Sequence, residues 1–193
     1  MKLTYILTLI LTFLPIHLFA QVDYRIRKAT LNDRDDLKHL YQKVAAIPGG
    51  LARTASEITD TYINKVISNG MGRGLFLVAE FEDKLIGLMV KYKLEPKVFS
   101  HILSEGSILV DPNFQGIGIG SKIITAFLKE IEENHPEILR VEIIARESNP
   151  AIKLYEKFGF KKEGRLENRI CGINGKLEAD IPMAWINPKF RLQ

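Results

Sequence analysis

Between residues 108 and 121 the chain reads Ile108-Leu109-Val110-Asp111-Pro112-Asn113-Phe114-Gln115-Gly116-Ile117-Gly118-Ile119-Gly120-Ser121. An apolar run enters a turn with three alternating glycines, and the turn opens a stretch of helical period. The first N–H groups of a helix have no acceptor within it, and the helix dipole favours negative charge there. Glycine lets a backbone approach an anion closely, so the turn has the composition of a main-chain phosphate cradle. Two other phosphate motifs do not fit. A dinucleotide fingerprint needs glycine where Ser121 stands, and a P-loop needs Gly-Lys-Ser/Thr where the chain has Gly120-Ser121-Lys122. From the turn alone, a phosphate site and a ligand-free glycine turn both stay open. Three glycines before a strong helix carry an entropic cost that asks for a reason.

Other reactive side chains narrow the chemistry. The one cysteine, Cys171, excludes an internal disulfide and a cysteine-based zinc site. Without a CxxC or an evident histidine partner it reads as a small apolar filler rather than a nucleophile. His17, His39, His101 and His135 have no ligand spacing, so no metal is expected. The net charge is +4, but Lys and Arg are interspersed with Asp and Glu. There is no basic stripe, and nucleic acid is not an expected partner.

The elements that must position these residues follow from periodicity. Tyr24–Ala29 alternates as a strand, and Asn32 can cap a helix through Ala45 with Leu37, Leu40, Tyr41 and Val44 on one face. Thr54 and Glu57 have capping-box spacing, which predicts a second helix to about Ser68, broken by Gly70, Gly72 and Gly74. Leu75–Phe81 and Leu85–Lys93 read as strands turning near Asp83, and Glu105–Val110 as another. Ser121–Asn134 is helical, with Ile123, Ile124, Phe127, Leu128 and Ile131 on its apolar face. Arg140–Ala145 is a strand, Pro150–Phe158 a helix ended by Gly159. Phe160–Arg169 and Lys176–Ile186 are strands around the hairpin signal Asn174-Gly175. A parallel crossover around Gly118 together with antiparallel hairpins requires a mixed sheet with helices on both faces.

Gln115-x-x-Gly118-x-Gly120, following Leu109-Val110-Asp111-Pro112, resembles the acyl-CoA signature of the GNAT superfamily. Glu147-Ser148-Asn149-Pro150-Ala151-Ile152-Lys153-Leu154-Tyr155-Glu156-Lys157-Phe158-Gly159-Phe160 resembles that family's N-x-x-A-x-x-x-Y-x-x-x-G-F segment. The two occur in the family's order, and the tail from Asn174 to Met183 resembles the closing hairpin of phosphinothricin-type acetyltransferases. The resemblance runs from about Tyr24 to Trp185 and extends to ribosomal-protein-alanine acetyltransferases. It is loose over Ala46–Gly74, where acceptors usually bind.

The resemblance implies a GNAT fold: an α/β (α+β) mixed, mostly antiparallel sheet of about seven strands whose central parallel strands splay around acyl-CoA. It implies an N-acetyltransferase that uses acetyl-CoA as co-substrate and no metal. The acetyl group would pass directly to a primary amine, on a small-molecule or peptide acceptor. By the same resemblance Gln115, Gly116, Ile117, Gly118, Ile119 and Gly120 hold the pyrophosphate, and Ile108, Leu109 and Val110 lie beside the pantetheine arm. A backbone N–H near Leu109 or Val110 would stabilise the oxyanion. Tyr155 matches the acid that protonates the leaving thiolate. A phenol suits that task, its ordinary pKa of about 10 lying above the thiol's roughly 8.5. On its residues alone Tyr155 reads first as a packed aromatic sharing a helix face with Ala151, Leu154 and Phe158. Asn149 matches a cofactor contact and, preceding Pro150, is also a natural helix cap. Glu105, placed like the base of phosphinothricin-type enzymes, is the candidate to deprotonate the amine, with His101 in reserve. The alternative is an acyl-CoA-binding sensor or regulatory domain without turnover. Family members are often dimers, which leaves a homodimer open.

Residues 1–21 are set apart as an apolar leader and 22–193 as the acyltransferase domain. Leu3 to Ala20 reads as a signal peptide, as an anchor spanning about 27 Å as a helix, or as residues upstream of a later true start. Any membrane contact is expected only through residues 3–20. If they insert, Arg25, Arg27, Lys28, Arg34 and Lys38 keep the domain on the cytoplasmic side. Acetyl-CoA being a cytoplasmic metabolite, a cytoplasmic domain is expected.

Overall fold

The computed structural model describes residues 23–172 and 175–192. The leader and Asn174 of the hairpin turn lie outside the described residues. The chain order is β1 (Arg25–Lys28), α1 (Arg34–Ala45), α2 (Asp60–Arg73), β2 (Gly74–Phe81), β3 (Lys84–Lys93), β4 (Ile102–Val110), α3 (Ile119–Asn134), β5 (Arg140–Arg146), α4 (Ala151–Lys157), β6 (Lys161–Lys162), β7 (Leu166–Cys171) and β8 (Leu177–Ile186). The expected GNAT architecture is present as an open, mostly antiparallel sheet of eight strands. Its order is β1-β2-β3-β4-β5-β8-β6, with β7 also paired to β8. The strand count exceeds the expected seven because the stretch after Gly159 is split in two. β6 pairs with Met183 and Ala184 and β7 with residues nearer the start of β8.

The sheet separates two apolar clusters. One holds Met89, Ile123, Phe127, Val141 and Tyr155, so α3 and α4 cover this face. The other holds Leu37, Tyr41, Ile63, Val66, Leu88 and Val90, so α1 and α2 cover the opposite face. The period-two alternation of β3 serves both at once, with Leu88 and Val90 turned one way and Met89 the other. The β2–β3 turn places Glu82 and Asp83 at φ 48° and 58°, the backbone a two-residue hairpin demands.

Two helix boundaries differ from the sequence reading. Thr30, not Asn32, opens the first helical segment: its N–H donates to Asp33 Oδ2 at 2.6 Å, and a short 3₁₀ turn precedes α1. The Thr54–Glu57 box closes as expected, with the Thr54 N–H donating to Glu57 Oε2 at 2.7 Å, but on a separate 3₁₀ turn. The second helix starts at Asp60, where Thr59 Oγ1 accepts from the Tyr62 N–H at 3.2 Å. It continues through Gly70 and Gly72 to Arg73. Gly70 is there for proximity: a Cβ would sit 2.6 Å from Val90 Cγ2 and 2.9 Å from Phe76 Cδ1. Around Gly72 a Cβ would meet nothing within 4 Å.

The two glycines should therefore respond oppositely to alanine. Gly70→Ala is expected to destabilise by about 1–3 kcal/mol through overpacking. Gly72→Ala should stabilise by about 0.5 kcal/mol through helix propensity. Urea denaturation midpoints of both variants against the parent check the pair; a shared sign would remove close packing as the reason for Gly70.

Candidate functional site

The central parallel strands begin together and part. β4 and β5 pair at Ile102 with Arg140 and at Leu103 with Val141, and at no later rung among the described residues. The parting coincides with a bend in β4. The β3–β4 register shifts between Tyr92 and Lys93, and Gly106 stands at φ 126°. A Cβ there would fall 2.0 Å from Val90 O, so only glycine fits. Beyond the bend, β4 keeps β3 on one side and faces an open cleft on the other. The cleft holds about 480 Å³ and runs between β4, β5, α4 and the segment joining α1 to α2.

The open edge of β4 presents main-chain donors. Asp111 N–H donates to Ile86 O at 2.9 Å, so strand alternation turns the Leu109 N–H toward β3 as well. The Ile108 and Val110 N–H groups then point to the gap. Of the three pantetheine-side residues, Ile108 lines the cleft and Val110 lies just beyond it, packed toward α3. Leu109 is 2 % exposed and belongs to the cluster under α1 and α2, so its side chain is away from the cleft.

At the end of β4 the glycine turn is built as a cradle. Asp111 Oδ1 accepts from the Asn113 N–H at 2.9 Å, while its Oδ2 receives Lys43 Nζ from α1 at 2.7 Å. This pairing clamps the entrance of the turn. Gln115 Nε2 reaches back to Val110 O at 3.4 Å. Gly116 and Gly118 take φ 80° and 91°, and Gly118 caps α3. The first helical bond runs from Lys122 N–H to Gly118 O at 3.1 Å, so the Ile119, Gly120 and Ser121 amides lie ahead of it. A Cβ on Gly116 or Gly118 would meet nothing within 4 Å, so the glycines are free for a group outside the protein. Ile119 anchors the turn in the core, and Ile117 is exposed. The donor set and the open approach fit a pyrophosphate.

Tyr155, Glu105, Asn149 and Ile108 all line the one cleft. Tyr155 is 6 % exposed and packs against Phe160 with ring centroids 6.0 Å apart. Burial pushes its phenol up to about 12, which keeps it protonated at neutral pH. Asn149 Oδ1 accepts from the Ala151 N–H at 2.9 Å, so it caps α4 and walls the cleft at once. Glu105 is exposed, opposite Tyr92 across the β3–β4 ladder. His101 stays at the closed end, where its carbonyl accepts from Leu139 and Arg140, and is not part of the cleft wall.

The sequence reading missed the polar network at the vertex of the gap. Lys91 is 4 % exposed and donates from Nζ to Ser104 O at 2.9 Å. Ser104 Oγ donates to Glu142 Oε2 at 2.6 Å, Glu142 receives Arg140 Nε, and Arg140 pairs with Glu163. This chain ties β3, β4 and β5 together where the last two diverge. A lysine inside the apolar alternation of β3 was the available signal, since a buried cation needs a partner.

A parted parallel pair, main-chain donors along the open edge and a glycine-capped helix at its end form the arrangement that the resemblance to GNAT acetyltransferases implies. Residues 72–162 match the family model described as an acetyltransferase (GNAT) domain. The matched stretch runs from the end of α2 to β6 and holds both the glycine turn and Tyr155, and the fold as a whole is similar to that of GNAT acetyltransferases of known structure. The ribosomal-protein-S18-alanine N-acetyltransferase of Escherichia coli superposes with a TM-score of 0.69 at 21 % identity, over 89 % of this chain and 97 % of that one. A phosphinothricin acetyltransferase of Sinorhizobium meliloti, solved with acetyl-CoA, gives 0.76 at 16 % identity over 86 % and 90 %. The Salmonella typhimurium protein yncA, solved with its cofactor acetyl-CoA, gives 0.69 at 17 % over 89 % and 98 %. No curated protein matches the chain in sequence. Among the described residues no helix is long and apolar enough to cross a membrane.

The buried ammonium gives the site a pH signature. Burial pulls Lys91 down to about 8 from 10.5, against the opposing pull of Glu142 and Glu105. Between those values the unfolded chain binds more protons than the folded one, so this group's contribution to stability improves as pH rises through the window. Stability of the parent relative to Lys91→Met should therefore increase from about pH 8 to about pH 10.5. Urea midpoints of both proteins across that range measure it; parallel profiles would mean Lys91 titrates normally.

Proposed function

We propose that this chain is an N-acetyltransferase that moves an acetyl group from acetyl-CoA to the nitrogen of a primary amine by direct attack. The observation that carries the reading is the parting of β4 from β5. It leaves the Ile108 and Val110 amides on the open edge of β4, with Ile108 in the cleft wall and the glycine cradle following at the end of the strand. The amides of Ile119, Gly120 and Ser121, with the dipole of α3, hold the pyrophosphate, and the edge of β4 takes the pantetheine arm as an added strand would be taken. Acetyl-CoA, when bound, supplies a thioester carbonyl beside that edge. The Val110 N–H lies on the side where negative charge develops on the carbonyl oxygen.

Glu105 accepts a proton from the ammonium form of the acceptor, directly or through water, freeing the nitrogen lone pair. The C–N bond forms, the C–S bond breaks, Tyr155 gives its proton to the departing sulfur, and the extra proton on the acylated nitrogen returns through water to the Tyr155 oxygen. Burial raises both the phenol and a thiol lodged beside it, so the two stay within reach of transfer. Asn149 holds the start of α4, and with it Tyr155, against the cleft. Among the described residues neither Cys171, which is exposed, nor any histidine lines this cleft, which suits attack without an acyl-enzyme.

Two variants separate binding from chemistry. Gly118→Asp would place a carboxylate where a Cβ meets no protein atom, at the mouth of the cradle. Calorimetry should register loss of acetyl-CoA affinity in a variant that still melts cooperatively; unchanged affinity would remove the cradle from the reading. Tyr155→Phe keeps the ring contact with Phe160 and deletes the proton, and kcat should fall by about 10²–10⁴-fold with acetyl-CoA affinity retained. Free-thiol release against a panel of amines measures it, and a variant as fast as the parent would leave Tyr155 a packing role alone.

A further inference from the structure

The charges of the cleft are unevenly satisfied. Besides Tyr155 and Asn149 it is walled by the Gly49–Arg53 segment, Tyr62, Glu105, Arg146 and Arg169. Four cationic side chains line the whole cleft, namely Arg53, Lys91, Arg146 and Arg169, against two acids, Glu105 and Asp180. Asp180 is held by Arg169 at 3.2 Å, and Lys91 is spent on the vertex network. Seven of the chain's ten arginines make an ion pair within 4 Å: Arg25, Arg27, Arg34, Arg73, Arg140, Arg165 and Arg169. Arg53, Arg146 and Arg191 make none among the described residues, and two of these three stand in the cleft wall.

Their placement is specific. Arg146 closes β5 and is half-buried, and its Nη1 lies 3.6 Å from where a Cβ would stand on Gly49. The guanidinium thus reaches from the end of β5 to the α1–α2 segment. Arg53 stacks over Tyr62 at 4.5 Å, which holds its charge at the cleft rim without neutralising it. Asp180 stands across the β5–β8 ladder from Arg146, but its carboxylate is paired with Arg169, so among the described residues the half-buried Arg146 guanidinium has no carboxylate within 4 Å and its desolvation is uncompensated. Its fork matches the two oxygens of a carboxylate. Glu105 stands on the same cleft as the one acid without a cationic partner within 4 Å, positioned for a cationic group.

We propose that the acceptor is a small molecule of amino-acid type, its carboxylate held by Arg146 with Arg53 at the rim and its ammonium group turned to Glu105. This rests on the transfer reading above. A neutral peptide amine, lacking a carboxylate near the reacting nitrogen, leaves Arg146 unpaired and is a poor acceptor.

The test compares the common L-amino acids with their carboxamides, which keep the amine and remove the negative charge. With acetyl-CoA saturating, thiol release by the parent should favour at least one free acid over its carboxamide in kcat/KM by about 10- to 100-fold. Arg146→Gln should erase that preference through KM while leaving the carboxamide rate near the parent's. The exposed Arg53→Gln, which leaves Arg146 in place, should weaken it in the same direction. Equal use of acid and carboxamide by the parent, or equal losses on both in Arg146→Gln, would overturn the proposal. If no amine releases thiol, the transfer reading fails separately. Calorimetric titration of the same amino acids into the enzyme with coenzyme A then decides: binding lost in Arg146→Gln upholds the carboxylate site, and no binding overturns it.

Discussion

The molecule is organised around two strands that start as neighbours and cease to be. A strand edge exposed inside a domain leaves backbone donors without acceptors, and proteins normally cover or avoid such edges. Here the edge is made on purpose by local chemistry. Gly106 takes a backbone that side chains exclude, and the ladder to β3 shifts register just before it. The Ser104–Glu142 hydrogen bond fastens β4 to β5 at the last point of contact. Remove the bend and the parallel ladder closes, and the amides of Ile108 and Val110 are consumed by β5 instead of facing the gap.

Cradle and gap are parts of one continuous backbone. β4 runs through Asp111 into the glycine turn and directly into α3. Asp111 is 7 % exposed, and its pairing with Lys43 connects the turn to a helix on the far side of the sheet. The glycine turn is thereby braced by α1, and α3 is fixed from beneath by Ile119, Ile123 and Phe127, all at or below 1 % exposure. Precision at the gap comes from these rigid neighbours.

Much of this was legible in the chain. The periodicity of Ile123, Ile124, Phe127, Leu128 and Ile131 is a strong one-faced pattern, and α3 carries it as expected. The Gln115–Gly120 spacing and the Asn149–Phe160 segment identified the family because their glycines, cap and aromatic are demanded by backbone geometry, which leaves a local trace. The end of α2 was misread because a glycine that breaks a helix and a glycine that lets a helix approach a sheet look the same without the neighbour. Val90 and Phe76, which decide the matter for Gly70, are distant in sequence. Lys91 escaped notice for a similar reason: its partners Ser104 and Glu142 come from two other strands. Arg146 lies within a recognised stretch of chain, yet its lack of a counter-charge is a property of space and has no sequence pattern.

The two apolar clusters on either side of the sheet have a consequence for how such a protein can change over generations. The sheet acts as a bulkhead. Substitutions among Leu37, Tyr41, Ile63 and Val66 repack one compartment, whereas Ile123, Phe127, Val141 and Tyr155 occupy the other, and the backbone between them absorbs little of either disturbance. Tyr62 and Val66 carry the first compartment into the wall of the cleft, and Tyr155 carries the second. Lineages can therefore vary one side of the cleft by drift while the other is inherited intact.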